Sequence, residues 1–274
     1  MGKYNHNNKK LNVTEFQHPS DRKAVNVVLA VPGFEKMLNY VSDNSIERVY
    51  SFFNSSSMLK ISEEMSPKMH VMLKEAAQMY GTDVIPDLYL QRNYEYFINL
   101  DGMAKPYVVL PSAWLEAVDD QMLWAILSAQ IAGIQSKHGM IEFIGNILDF
   151  TRGMLPFGVD AALDIAIKEW KRSRVYTADR AILLATENFE LAAKHILFGD
   201  ASDAVLEGIG LDKPNNTYYQ QAQEFIYRSG AEGMIQKMET LFSSSQWIAS
   251  RYIELYNWYF SGEYDDVLEG SLDV

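Results

Sequence analysis

The sequence predicts an α+β fold. Strand-like segments are confined to its first half, stretches with helical spacing fill the rest, and no linker rich in Gly, Pro or Ser and no long repeat divides it. An alternating α/β protein would interleave the two kinds of segment. With 274 residues, 48% of them apolar, the chain can bury a sizeable core.

Taken in order, Ser20 is placed to cap a helix running to about Val31, where Pro32 and Gly33 turn the chain. A second helical stretch reaches about Val41. From Arg48 to Ile61 the residues are rich in Val, Tyr, Phe and Ser, and the cluster Asn54 to Ser57 splits them, which predicts two short strands. Ser66, with Pro67 at the first helical position and Gly81 after the last, brackets a helix. Asp87 to Leu90, Tyr94 to Leu100 and Pro106 to Leu110 alternate as strands do, and Asp101 and Gly102 form a hairpin turn between the last two. After Ser112 the pattern is helical to the end.

Composition narrows the function classes. A net charge of -12 argues against a nucleic-acid partner, because phosphate binding needs clustered Lys and Arg. Without cysteine there is neither a disulfide framework nor a thiolate metal site. The start, MGKYNHNNKKLNV, lacks the apolar core of a signal peptide, and His6 stands where myristoylation needs Ser or Thr. The apolar run Met122 to Ile134 is shorter than the roughly 20 residues of a membrane span. Met140 to Ile167 is longer but is broken by Glu142, Asp149, Arg152, Asp160 and Asp164. These features predict a soluble, cytoplasmic protein with no membrane partner.

Two segments carry a resemblance to a known family: LSAQIAGIQSKH, from Leu127 to His138, and EWKRSRVYTADRA, from Glu169 to Ala181. The second resembles the E-W-x-R-x-x-E-x-x-A-D-R-A helix of soluble members of metallopeptidase family forty-eight, which includes heat-shock membrane proteases and CAAX prenyl endopeptidases. Glu169, Trp170, Arg172, Ala178, Asp179, Arg180 and Ala181 match without a gap. FQHPSDRKAVNVVLAVPGF resembles the opening helix of that family. KPYVVLPSAWLEAVDDQMLWAIL resembles its strand and the start of its zinc helix, and SRYIELYNWYFSGEYDDVLEG its closing segment. The resemblance implies a helix-dominated, gluzincin-like α+β fold with a small, mostly antiparallel sheet in the first half. It implies a single domain over 1–274, with the family core at 15–200 and a helical part, 201–274, packed on it.

The same alignment places Ala129 and Gly133 at the two histidines of the family's HExxH, Gln130 at its general-base Glu and Val175 at its metal-binding Glu. Catalytic zinc takes three protein ligands, and HExxH works because i and i+4 share one helix face. Ala129 and Gly133 share that face without a lone pair, and the Gln130 amide does not accept a proton near neutral pH. The expectation is therefore no zinc, no other cofactor and no peptidase chemistry. The chain would be a pseudopeptidase whose function is binding or regulation, with a protein or peptide partner. The alternative is an active hydrolase with a rebuilt site.

Ser128, Ala129, Ala132 and Gly133 also read as a small-residue face that lets a neighbour pack closely, since Gly inside a helix costs about 1 kcal/mol against Ala. Val175 then plugs the former metal cavity. In the family, Asp179 supports a ligand histidine from behind; here it must find a backbone amide, a hydroxyl or an Arg. His138, before Gly139, is expected against the carbonyls of a helix C-terminus. His6, His18, His70, His138 and His195 form no HxxxH or HxH pair, and no GxSxG elbow is present. Gluzincins hold substrate as an added strand. By resemblance, Tyr94 to Leu100 is the edge strand of a peptide groove, with Phe97, Asn99 and Tyr176 as groove residues, unless Val175, Tyr176 or neighbouring segments fill it. The aromatic residues crowding Tyr218 to Phe260 are core if buried and an interface if exposed.

Overall fold

The structure, a computed structural model, describes residues 3–5, 10–43, 45–92, 98–151, 160–198, 203–211, 213–227, 233 and 247–270. The chain opens with four helices, α1 (Val13–Phe16), α2 (Pro19–Leu29), α3 (Phe34–Asp43) and α4 (Ile46–Ser56). Pro19 opens α2, where its missing N–H costs nothing. The cap is not Ser20 but His18, whose Nδ1 accepts the Ser20 amide at 3.2 Å.

The segment from Arg48 to Ile61 corrects the sequence expectation. It is not two strands: α4 occupies most of it, and only β1 (Leu59–Lys60) is extended. Aromatic and β-branched residues suit a strand locally, but Ile46 and Tyr50, four apart, both pack on one helical cluster. Tyr50 meets Phe143 edge-on at 5.5 Å. Tertiary burial of that i, i+4 pair decides in favour of the helix.

α5 (Pro67–Met79) starts after Ser66 and ends at a left-handed Gly81, φ 62°, as its bracketing residues predict. β2 (Asp87–Gln91), β3 (Asn99–Asp101) and β4 (Tyr107–Pro111) complete a sheet of order β1-β2-β4-β3. Of the expected strand Tyr94 to Leu100, residues 94–97 lie outside the described residues. β1–β2 and β3–β4 are antiparallel, while the central pair, β2–β4, is parallel with Leu88 opposite Val108. The sheet is thus mixed. Hairpin folding of β3 onto β4 puts β3 on the outer edge and leaves the inner side of β4 for β2.

The hairpin depends on its glycine. Gly102 has φ 99°, and a Cβ there would sit 2.6 Å from the Lys105 carbonyl oxygen. The Glu47 carboxylate accepts the amides of Met103 and Ala104, at 2.6 and 2.9 Å, which pins α4 to the same turn.

Beyond β4 the described residues are helical: α6 (Ser112–Ala117), α7 (Asp120–Gln135), α8 (His138–Thr151), α9 (Asp160–Thr186), α10 (Phe189–Ile196), α11 (Asp203–Ile209), α12 (Thr217–Ile226), α13 (Ile248–Phe260) and α14 (Glu263–Glu269). Asp119 caps α7 by accepting the Met122 amide at 2.8 Å. α7 is apolar on nearly every side and lies against α5 and α9, as a core helix must. One cluster of buried residues runs from Leu11 to Val267, and a second joins α2, α3, α8 and the first half of α9 around Phe143 and Trp170. Tyr252, Tyr256 and Trp258 are buried, and Phe189 packs against Tyr252 and Tyr256, so the aromatic end of the chain is mostly core. Tyr227, 73% exposed, is an exception. The described architecture is α+β, helix-rich, with one small sheet.

Gly102→Ala is expected to destabilise the fold by about 2 kcal/mol or more, since it combines a left-handed φ with a clash against backbone. A lower urea midpoint with an unchanged slope would show it; an unchanged midpoint would contradict the turn geometry.

Candidate functional site

α7 and α9 cross beneath the β3 edge, and the surfaces they turn to each other there are small. Between them and α10 lies a cavity of about 140 Å³. Ala129, Gln130 and Gly133 of α7 and Val175 of α9 all line it, so two segments distant in sequence meet at one place. At the three positions where the resemblance leads one to expect metal ligands, the side chains are a methyl group, a hydrogen and an isopropyl group, none with a lone pair. Gln130 Nε2 donates to the Ile126 carbonyl at 3.3 Å, within its own helix. Among the described residues no group of three or more His, Asp or Glu side chains is placed to hold a metal ion. The donor set does not fit zinc.

Gly133 has a definite packing role. A Cβ on it would lie 2.9 Å from Leu100 Cδ2 and 3.4 Å from His138 Nδ1. The glycine is therefore where β3 and the first turn of α8 close onto α7. Ser128, on another side of the helix, reaches the hydroxyl of Tyr80, just after α5, at 3.4 Å.

Asp179 takes an arginine as partner. Arg251 of α13 donates Nε to its Oδ2 at 2.9 Å and Nη2 to its Oδ1 at 2.6 Å, a two-pronged ion pair. Asp179 is 1% exposed. Burial pushes its carboxyl up, opposed by the charge and hydrogen bonds of Arg251. Burial works against the charge on Arg251 too, but Asp179 outweighs it and holds the guanidinium protonated. Arg251 also lines the cavity.

His138 is not at a helix C-terminus, which corrects the expectation. It opens α8, and its Nε2 faces Asp21 of α2 at 2.9 Å. Asp21, fully buried, also accepts the Thr177 hydroxyl at 2.6 Å and the Gln17 amide at 3.1 Å. Burial pushes the Asp21 carboxyl up, but the His138 charge and these hydrogen bonds more than offset that and hold it below the ordinary value. The pair sits under the cavity, whose wall includes His138.

Sequence reasoning missed His195. It lies on α10, lines the cavity and has a buried Nδ1 with no hydrogen-bond partner. Burial, then the Arg251 charge, lowers its pKa to about 3, so the ring is neutral. A lone histidine in an apolar helical stretch carries no local signal of such a position. Arg174, also in the wall, is matched by Glu142 at 2.8 Å, and Lys171 shares that carboxylate at 3.1 Å.

The groove residues divide. Phe97 lies outside the described residues. Asn99 is on β3, half-buried, its Oδ1 buried without a hydrogen-bond partner. Tyr176 is not part of the cavity wall; its ring packs on His18 at 4.7 Å. β3 pairs with β4 on one side, and among the described residues its other side has no strand partner. α8 approaches the Asp101 end, where a Cβ on Gly139 would lie 3.1 Å from the Gly102 carbonyl oxygen. Ile98 and Leu100 border the cavity.

Compared with known proteins, the chain is similar to plastoglobule-localized metallopeptidase 48, chloroplastic, of Arabidopsis thaliana: 23% identical over 270 residues, covering 95% of this chain and 77% of the relative. No protein-family model and no solved structure matches it. The relationship to a metallopeptidase family is distant and runs along nearly the whole chain. No helix of the described residues is long and apolar enough to cross a membrane.

Asp179→Asn leaves the Arg251 charge buried and uncompensated, and is expected to cost roughly 3–5 kcal/mol by urea unfolding. Replacing both partners, Asp179→Leu with Arg251→Met, should recover most of it; no recovery would mean the pair is not an isolated charge couple.

His195 gives a pH dependence of defined sign. Its folded pKa is depressed below the unfolded value, so between about pH 6.5 and 3 the unfolded chain binds a proton that the folded chain does not. Its stabilisation is complete above pH 6.5 and lost as pH falls, by about 1.4 kcal/mol per pH unit. His195→Leu should flatten the profile by that slope; parallel wild-type and variant profiles would contradict it.

Proposed function

We propose that this chain is a catalytically inactive metallopeptidase homologue, acting as a binding or regulatory protein without zinc. The observation that supports this is the meeting of Ala129, Gly133 and Val175 at one cavity wall with no metal-donating atom among them. Structural zinc binding is worth on the order of 10 kcal/mol, nearly all from ligand bonds. A wall of methyl, hydrogen and isopropyl supplies none of it. Its partner on this reading is a peptide or protein, taken as an added strand along Ile98 to Leu100, where the β3 edge has no strand partner and the cavity opens beside it. The working location is the cytoplasm; the plastoglobule in the relative's name is said of that protein, and cell fractionation separates the two.

A second reading, an active hydrolase with a rebuilt site, draws on the Asp21–His138 pair beside the cavity, since a carboxylate-oriented imidazole is the usual form of a general base. Peptide cleavage by the purified chain that survives a chelator would favour it.

The zinc reading is tested by metal analysis and by reversal. The purified chain is expected to hold no stoichiometric zinc. Ala129→His, Gln130→Glu, Gly133→His and Val175→Glu together restore the donors, but a Cβ at 133 meets Leu100 Cδ2 at 2.9 Å, so Leu100→Ala must accompany them. The folded fivefold variant is expected to bind zinc. Stoichiometric zinc in the parent, or none in the folded variant, overturns the assignment of these positions.

A further inference from the structure

The sheet has a second concave surface, on the face turned away from the cavity between α7 and α9. Side chains alternate along a strand, so Leu88 and Val108 join the main core while Tyr89 and Tyr107 point the other way. There the turn between α3 and α4, the β3–β4 hairpin and Met58 close round a cleft of about 310 Å³, at the lower end of the range that small-molecule sites occupy. Tyr89 and Tyr107, meeting edge-on at 5.7 Å, form part of its wall.

The polar groups of this cleft divide by kind. Its two carboxylates are engaged by the protein: Glu47 accepts the hairpin amides of Met103 and Ala104 at 2.6 and 2.9 Å, and Asp87 takes the Lys60 ammonium at 2.7 Å. Its donors are not. The Arg48 guanidinium, the Lys105 ammonium and the hydroxyls of Ser42, Ser45 and Tyr89 all line the cleft, and among the described residues none of these groups has an ion-pair or hydrogen-bond partner. Tyr89 keeps its proton to donate, because burial and the Asp87 charge push its ionisation above the ordinary value. With Lys60 and Asp87 cancelling, Arg48 and Lys105 stand against Glu47 alone, so the wall is net positive in a chain of net charge -12.

An occupant must therefore bring acceptors and negative charge at one end and an apolar body at the other. A phosphate monoester has both. Its three terminal oxygens accept several donors at once, an arginine fork matches two of them, and a ring can lie on the tyrosines. A carboxylate offers only two oxygens and a single charge.

We propose that this cleft binds a small phosphate monoester with a ring-sized body, its oxygens taken by Arg48, Lys105 and the serine hydroxyls and its ring set against Tyr89 and Met58. The site shares no wall residue with the cavity between α7 and α9 and does not depend on how that cavity is read.

The full chain is titrated by calorimetry at low salt with phenyl phosphate, benzoate, inorganic phosphate and phenol, and the Tyr89 ring resonances are followed by NMR. Phenyl phosphate is expected to bind at least about tenfold more tightly than each of the others and to move the Tyr89 signals. Arg48→Gln and Lys105→Gln alter exposed side chains, so both variants should keep the parent's circular dichroism spectrum and Tm. Each should weaken phenyl phosphate by about tenfold or more, the margin of one hydrogen bond to a charged group. Lys36→Gln, at an exposed position of α3 outside the cleft, should leave binding unchanged. Benzoate as tight as phenyl phosphate would assign a carboxylate, inorganic phosphate as tight would leave the ring without a role, and phenol as tight would leave only an apolar cleft. Equal losses in all three variants would mean diffuse charge attraction. Each of these overturns the proposal, as does a silent titration or undiminished binding by Arg48→Gln and Lys105→Gln.

Discussion

A carboxylate in the last third of α9, Asp179, has almost no access to water, and the way α13 is held on that helix follows from it. A buried charge is tolerated only when paired and hydrogen-bonded. Asp179 obtains both from Arg251, which ties α13 to α9 by two directional bonds rather than by apolar contact alone. The aromatic side chains of α13 then fall into register against Phe189 of α10. Arg180, the next residue, extends the seam by donating to the Phe16 carbonyl at 3.1 Å and lying over the Trp258 ring at 4.7 Å.

The opposite side of α9 repeats the device with Asp21. That carboxylate collects Gln17, Thr177 and His138, which belong to the start of the chain, the middle of α9 and the head of α8. Three elements converge on one buried acid. Since Asp21 and Asp179 flank the cavity through His138 and Arg251, its walls are held by charged pairs whose partners cannot leave without exposing a bare charge. Such a chamber owes its shape to these side-chain pairs.

The chemistry that remains differs in kind from a metal centre. A zinc site concentrates positive charge and deprotonated ligands; in this wall the charged side chains are matched, Arg251 by Asp179 and Arg174 by Glu142. Its neighbour is a strand edge with no strand partner among the described residues. The distant similarity to a metallopeptidase agrees with a shared framework and leaves the function to the side chains in this wall.

What the sequence by itself determined is local. α5 is legible from Ser66, Pro67 and Gly81, the β3–β4 hairpin from Asp101 and Gly102, and α7 from its unbroken apolar character, because caps, turns and periodicity act within a few residues. The lack of donors at Ala129, Gly133 and Val175 is likewise a property of residue identity. Only the tertiary structure decided that these positions meet at one cavity, that α4 is a helix and not two strands, that His138 pairs with Asp21 instead of helix carbonyls, and that His195 joins the wall. Asp179 and Arg251 stand 72 residues apart, and Asp21 and His138 stand 117 apart. No local spacing encodes such partners. They are chosen when burial removes water and each polar group must take the partner that packing brings within reach.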